Sequence, residues 1–299
     1  MYQAARREDA DVYHFHDPEL IPVGLLLRVQ GKPVIFDVHE DDVTAIRQKS
    51  YLPRALRPLL AAILGRMEAC VSRFFHILVA EKYYTRRFPG ATAVLNYPIR
   101  RCLPSAMLNG AQGHTRLLFT GKVARSRGAL IHAQIVTHVR DSQVYVVGFC
   151  DKELADEMLS IAGDGKERLH IEGVGSHVPY DRILSYYAQG GWLAGIALFV
   201  PNPHDMEKEP TKLFEYMGAG IPIICSDFPV WRALVEDTGT GLCVDPLDPR
   251  AIADAIEYLM AHPEEAERMR QNGRRAVSER YNWDAEAQKL LLLYQTALS

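Results

Sequence analysis

No Cys-x-x-Cys pair occurs in this sequence of 299 residues, whose five cysteines (Cys70, Cys102, Cys150, Cys225 and Cys243) are scattered. That argues against a disulfide framework or a zinc site and fits a reducing compartment. No apolar run reaches the length needed to cross a bilayer, and Met1-Tyr2-Gln3 does not open a secretory leader. A cytoplasmic protein is the expectation. There is no excess of positive charge: the formal net charge is −3, which offers no general field for nucleic acid. Internal repeats and low-complexity tracts are also missing, which excludes solenoid and linker-rich architectures.

What is present is enough apolar residue, 48%, with 24% charged, for a soluble globular protein, and enough chain for two domains. Charge is uneven. Residues 1–110 carry 15 Lys and Arg against 11 Asp and Glu, so the amino-terminal part is the one suited to an anionic surface. Between Lys49 and Arg73, Arg54, Arg57 and Arg66 alternate with the apolar run PLLAAIL. A basic amphipathic helix of this kind can lie on anionic lipid. It can equally be a core-packing helix with solvated arginines.

The chain is organised around residues 201–228, PNPHDMEKEPTKLFEYMGAGIPIICSDF. Thr211 is placed to cap a helix over 212–217 that Gly218 and Gly220 would end. IPIIC then reads as a central parallel strand, apolar on both faces. A loop feeding a helix N-terminus presents backbone N–H groups to anions, and Lys212 adds a charge there. Glu207 and Glu215 stand at either side, seven residues between them. A carboxylate one turn into the helix can accept hydrogen bonds from sugar hydroxyls. From spacing alone, both glutamates are as readily ordinary solvated charges.

Around this stretch the chain alternates strands and helices. VYHFHDPEL and PVIFDVHED place His16, Asp17, His39 and Glu40 at strand carboxyl ends, where parallel α/β sheets bind ligands. Residues 98–114 have no sustained periodicity, and a second series begins with RLLFTG at Arg116. Two Rossmann-like domains are therefore expected: 1–98, a linker at 99–114, a second domain at 115–282, and a closing helix at 283–299 with a broad apolar face.

Glu-x7-Glu, with KLFEYMGAGIPII around its second member, together with GKVARSRG and HDPEL…DVHED, resembles the retaining GT-B glycosyltransferases of family 4, the group 1 transferases. The resemblance implies an α/β GT-B fold whose amino-terminal domain is incomplete, entering without its first strands. It implies that Glu215 binds the ribose of a nucleotide-sugar donor and Glu207 the donor sugar's hydroxyls. Gly121, Lys122 and Arg127 would grip the diphosphate, with Arg125 an alternative contact. Backbone N–H groups at Thr211, Lys212 and Leu213 would assist them, and Val178 would lie against the base. His39, at the end of the second strand, would face the donor and take part in catalysis with Glu207. The family's last helix crosses back to the first domain. No cofactor and no metal are implied, since such enzymes use basic side chains instead. The implied partners are a nucleotide sugar and a glycan or lipid-linked acceptor in cell-surface polysaccharide or glycolipid assembly. Peripheral contact with the inner face of the plasma membrane would run through 49–73. The family's glycine-rich loop is replaced here by KEPTKLF. A GT-B sugar epimerase, a donor-binding protein without catalysis, and a general nucleotide-binding α/β protein remain competing readings.

Overall fold

The structure, a computed structural model, describes residues 1–40, 43, 46, 52–100, 103 and 115–299. Most of the expected linker and Lys49 lie outside the described residues. The chain forms two compact units, Met1–Asn96 with Trp283–Ser299, and Tyr97–Asn282.

The first unit holds a four-stranded parallel sheet in the order β1-β2-β3-β4 (Tyr13–Phe15, Val34–Val38, His76–Val79, Thr92–Ala93). VIFDV is buried at every position, as a central strand flanked on both faces must be. On one face Phe15 stacks on Phe36 with ring centroids 5.0 Å apart, and Phe75 meets Phe15 edge-on. The opposite face, Ile35, Leu78 and Val94, is covered by Leu293 and Ala297 of the last helix, Trp283–Leu298. Glu286 of that helix is buried and accepts the Leu95 N–H at 2.9 Å, while Lys289 neutralises it at 2.7 Å.

The basic amphipathic helix expected between Lys49 and Arg73 spans Arg57–Val71, beginning where Pro58 can occupy its first turn. It is amphipathic in an unusual way. Ala61, Leu64 and Val71 pack inward with Glu68, which pairs with Arg87, yet Leu59, Leu60 and Ile63 stay exposed. Among the described residues no helix is long and apolar enough to cross a membrane.

The second unit holds six parallel strands: β5 Thr115–Thr120, β6 Ser142–Cys150, β7 Leu169–Val174, β8 Ala194–Ala197, β9 Ile223–Ser226 and β10 Gly241–Val244. Their spatial order is β10-β9-β8-β5-β6-β7. The strand order reverses between β5 and β8, and a doubly wound sheet opens its ligand crevice at the carboxyl ends of those two strands. Helix Thr211–Ala219 follows β8 and precedes β9.

Two details of that helix correct the sequence reading. Pro210, not Thr211, is its N-cap, and no side chain caps it, because the proline ring carries no hydrogen-bond acceptor. Nor does Gly218 end it. The helix runs through to Ala219 and closes at Gly220, whose φ of 70° is left-handed. Gly218 is there for space: a Cβ would stand 2.2 Å from the Leu103 side chain. By contrast Asp248 caps helix Pro249–Ala261 as its sequence suggests, accepting the Arg250 N–H at 2.9 Å.

Candidate functional site

Two loops meet at the switch point. After β5, Gly121 turns with φ 93°, and Gly128, at φ 78°, comes so close to the strand β8 exit that a Cβ would fall 1.7 Å from Leu198 O. Only glycine fits there. The loop leaving β8 is joined to the first by a hydrogen bond from Val200 N to Ser126 O at 3.0 Å. Trp231 holds the far side of that loop, donating from Nε1 to Lys208 O at 2.7 Å.

Lys212, in the first turn of helix Thr211–Ala219, points into this junction. Its amine lies 3.6 Å from the Phe119 ring centroid and 5.0 Å from that of Phe199. A Cβ on Gly121 would stand 3.9 Å from it. Lys212 is buried, and its Nζ has no hydrogen-bond partner among the described residues. Burial pushes its pKa well below 10.5, and the Arg127 charge pushes the same way, while Glu215 and Asp205 oppose them. Arg127, half-buried, also lies over Phe199, 5.9 Å from the ring. Two basic side chains thus share one junction, and among the described residues no carboxylate contacts the lysine. Such a site is built to receive an anion.

Glu215 is one turn further on. Tyr180 donates to its Oε1 at 3.0 Å and Tyr187 to its Oε2 at 2.9 Å. Each carboxylate oxygen therefore keeps a lone pair for another donor. Tyr187 is itself buried and linked to Thr120 at 2.8 Å, and Thr120 N donates to Tyr216 at 3.0 Å. Burial, then the Glu215 charge, holds the Tyr187 phenol well above its ordinary pKa, so it remains a donor.

Of the residues singled out from sequence, Gly121, Arg127, Lys212 and Glu215 are tied to one junction by these contacts, with Thr211 and Leu213 on the same helical turn. The Leu213 N–H is taken by Pro210 O at 3.0 Å. Lys122 is exposed beside Gly121. Arg125 is engaged elsewhere, in an ion pair with Glu157. Val178 packs against Gly173 at the end of β7, where a Cβ on that glycine would meet its Cγ2 at 2.7 Å. Glu207 closes the short helix Pro203–Met206 and is half-buried.

His39 belongs to the first unit and is not isolated. Its Nε2 is 3.0 Å from Asp37 Oδ2 and 2.8 Å from His16 Nδ1. His16 and His14 also reach Asp37 Oδ2, at 3.2 and 3.3 Å.

Sequence reasoning missed Tyr180, Tyr187 and His132. The tyrosines are seven residues apart on helix Tyr180–Gln189, hence on one face, and that spacing was the available signal. His132, buried beneath the junction, accepts the Leu198 N–H at 3.3 Å and has its pKa pushed down to about 3 by burial and then by Lys212. A histidine in ALIHAQIV offers no such signal.

Residues 143–276 match the family described as "Glycosyl transferases group 1". The chain has a GT-B fold, and this part of it is similar to the group 1 glycosyltransferases. A phosphatidyl-myo-inositol mannosyltransferase of Mycobacterium leprae is 26% identical over 302 residues, covering 96% of this chain and 74% of the relative. An alpha-D-kanosaminyltransferase of Streptomyces kanamyceticus is 26% identical over 183 residues, 60% of this chain and 45% of its own. Among solved structures, Anabaena Alr3699/HepE in complex with UDP and glucose superposes with a TM-score of 0.73. It is 13% identical, and the match covers 99% of this chain and 80% of that one. The Thermosynechococcus elongatus sucrose-phosphate synthase gives a TM-score of 0.74 at 20% identity, over 99% of this chain and 76% of the other. GT-B glycosyltransferases are thus what this chain resembles in both sequence and fold.

Proposed function

We propose that this chain is a retaining glycosyltransferase that takes a nucleotide-sugar donor and transfers its sugar to a hydroxyl acceptor. The observation that carries the reading is the buried amine of Lys212, which has Arg127 for a neighbour and no hydrogen-bond partner among the described residues. A donor diphosphate would supply the missing negative charge. As the sugar–phosphate bond breaks, more charge gathers on the leaving diphosphate, and fixed cations stabilise that state over the ground state. Glu215, held by two phenols, would accept hydrogen bonds from the ribose hydroxyls through its remaining lone pairs. Lys122 would add a third basic group, facing solvent, and Val178 a wall for the base. Glu207 would bind the sugar's hydroxyls, and His39 would take part in catalysis. With retention, the acceptor hydroxyl attacks from the leaving-group side and its proton passes to the departing diphosphate.

Solved relatives named for complexes with UDP, glucose and UDP-glucose support a nucleotide diphosphate sugar as donor. Relatives named phosphatidyl-myo-inositol mannosyltransferases support surface glycolipid or polysaccharide assembly. The exposed Leu59, Leu60 and Ile63 beside Arg66 favour an acceptor presented at an anionic membrane. Flotation with anionic vesicles tests that part, and failure to float with them would remove it.

The central test is calorimetry with UDP-, GDP- and ADP-sugars. One of them should bind more tightly than its free nucleotide, and Lys212→Ala should lose that binding. A Lys212→Ala protein that binds as the wild type does would defeat the site.

A further inference from the structure

We propose that the carboxyl ends of β1 and β2 form a site for one divalent transition-metal cation of the zinc class, held by His14 Nε2, His16 Nδ1 and Asp37 Oδ2. The three donor atoms lie within 4.8 Å of one another, and both imidazoles stand 3.2–3.3 Å from the same carboxylate oxygen. Ligand atoms around a tetrahedral zinc, with bonds of roughly 2.0–2.1 Å, are spaced by about 3.3 Å. The sequence places them there simply. His14 lies on β1 and His16 two residues on, just past its end, an alternation that sends both to one face, and Asp37 sits on the adjacent, fully buried β2.

A second observation comes from Asp37 itself. It is only 5% exposed, and its Oδ1 has no hydrogen-bond partner among the described residues. Its ion-pair partners among them are all imidazoles: His14, His16 and His39 converge on Oδ2. Three ring nitrogens crowd this one oxygen, yet only His14 is hydrogen-bonded to it, while His16 and His39 bond each other. A cation bound between the nitrogens and the oxygen removes the crowding and neutralises the buried charge. His14 is already oriented for it: its Nδ1 meets the Tyr294 hydroxyl at 2.6 Å, leaving Nε2 to face Asp37. Metal-binding histidines are commonly fixed through their second nitrogen in this manner. Two imidazoles and one carboxylate select zinc, cobalt or nickel over magnesium and calcium. His39 Nε2, 2.8 Å from His16 and 3.0 Å from Asp37, borders the fourth position without being required as a ligand.

The expectation of a metal-free protein rested on the scattered cysteines and on the resemblance, and neither bears on a His-x-His strand. The test uses the whole chain, stripped with chelator and titrated with Co2+ alone. Wild type should take up one equivalent and develop visible d–d absorption. His16→Ala, at a side chain 55% exposed, should keep the fold and bind at least tenfold more weakly. His14→Ala should do the same, and Tyr294→Phe should weaken binding by about tenfold. No stoichiometric uptake by the wild type would overturn the site, as would uptake unchanged in both histidine variants. Donor binding is measured separately on the second unit's residues, so the two proposals fail independently.

Discussion

The two units present opposite electrostatic problems. The second buries an amine, Lys212, with no carboxylate in contact with it among the described residues. The first buries an anion, Asp37, contacted by imidazoles alone among the described residues. A protein that merely needed to fold would have little use for either, since an unsatisfied buried polar group costs about 1–3 kcal/mol. Both lie at the carboxyl ends of parallel strands, where main-chain loops rather than packed side chains close the sheet. What distinguishes them is the neighbourhood. Lys212 sits between aromatic rings next to Arg127, an arrangement that attracts a multiply charged anion. Asp37 sits among nitrogen donors, which attract a cation.

The sharpest way to break the comparison is Lys212→Met, which keeps the stem and deletes the charge. Hydrogen bonds to charged groups contribute about 1.5–3 kcal/mol each, so donor affinity should fall by roughly 100-fold. The ligand-free protein should move the other way. The unsatisfied amine costs about 1–3 kcal/mol, partly offset by its contact with Phe119, so thermal unfolding should show stability raised by about 1 kcal/mol. Loss of binding together with loss of stability would mean that Lys212 is structural. Proton linkage supplies a second measure. The amine's pKa is depressed in the free protein, and a bound diphosphate would raise it again. Binding should therefore take up a proton, and affinity should fall as pH rises from neutral toward 10.5. Lys212→Met should flatten that dependence.

His132 gives the next largest effect, this time on stability. Its folded pKa, about 3, is below the ordinary 6.5, so only the unfolded chain takes a proton between them. Stability from this group is complete above 6.5 and is lost as pH falls toward 3. The loss is about 1.4 kcal/mol per pH unit. His132→Gln should reduce the acid slope of urea-unfolding free energies by that amount. An unchanged slope would show that the imidazole is not held neutral beneath the junction.

Much of the fold is legible in the chain. The fully apolar run IPIIC, and the alternation of strands with helices, lead to parallel sheets, because buried parallel strands have no polar face to show. Boundaries are less legible. Gly218 looks like a helix terminator, and only Leu103 packed onto it explains why it is an interior residue. At the site, the Lys212 and Glu215 spacing could be read from one helix. Tyr187 reaches Glu215 across 28 positions of sequence and Thr120 across 67, and no local pattern carries such pairings. The histidine cluster was half visible. His16 and His39 stand at strand ends in any reading, but their convergence on one carboxylate depends on the β1–β2 register.

Smaller effects sharpen the site's inner order. Tyr187→Phe removes a donor to Glu215 and a partner of Thr120, both in a buried setting. Nucleotide affinity should drop by about fivefold and stability by about 1 kcal/mol, the usual worth of such a hydrogen bond. Tyr180→Phe, at an exposed phenol, should cost less than Tyr187→Phe in both. The smallest effect is expected at Lys122. It neighbours Gly121 in sequence, but its side chain is exposed, so water and salt screen its charge. Lys122→Ala should weaken donor binding by less than the Lys212 change, and the loss should shrink as salt is raised. The Lys212 loss should persist in salt, because a desolvated amine is poorly screened. Equal losses in both variants at high salt would show that the loop after β5 closes over the donor and buries Lys122 as well.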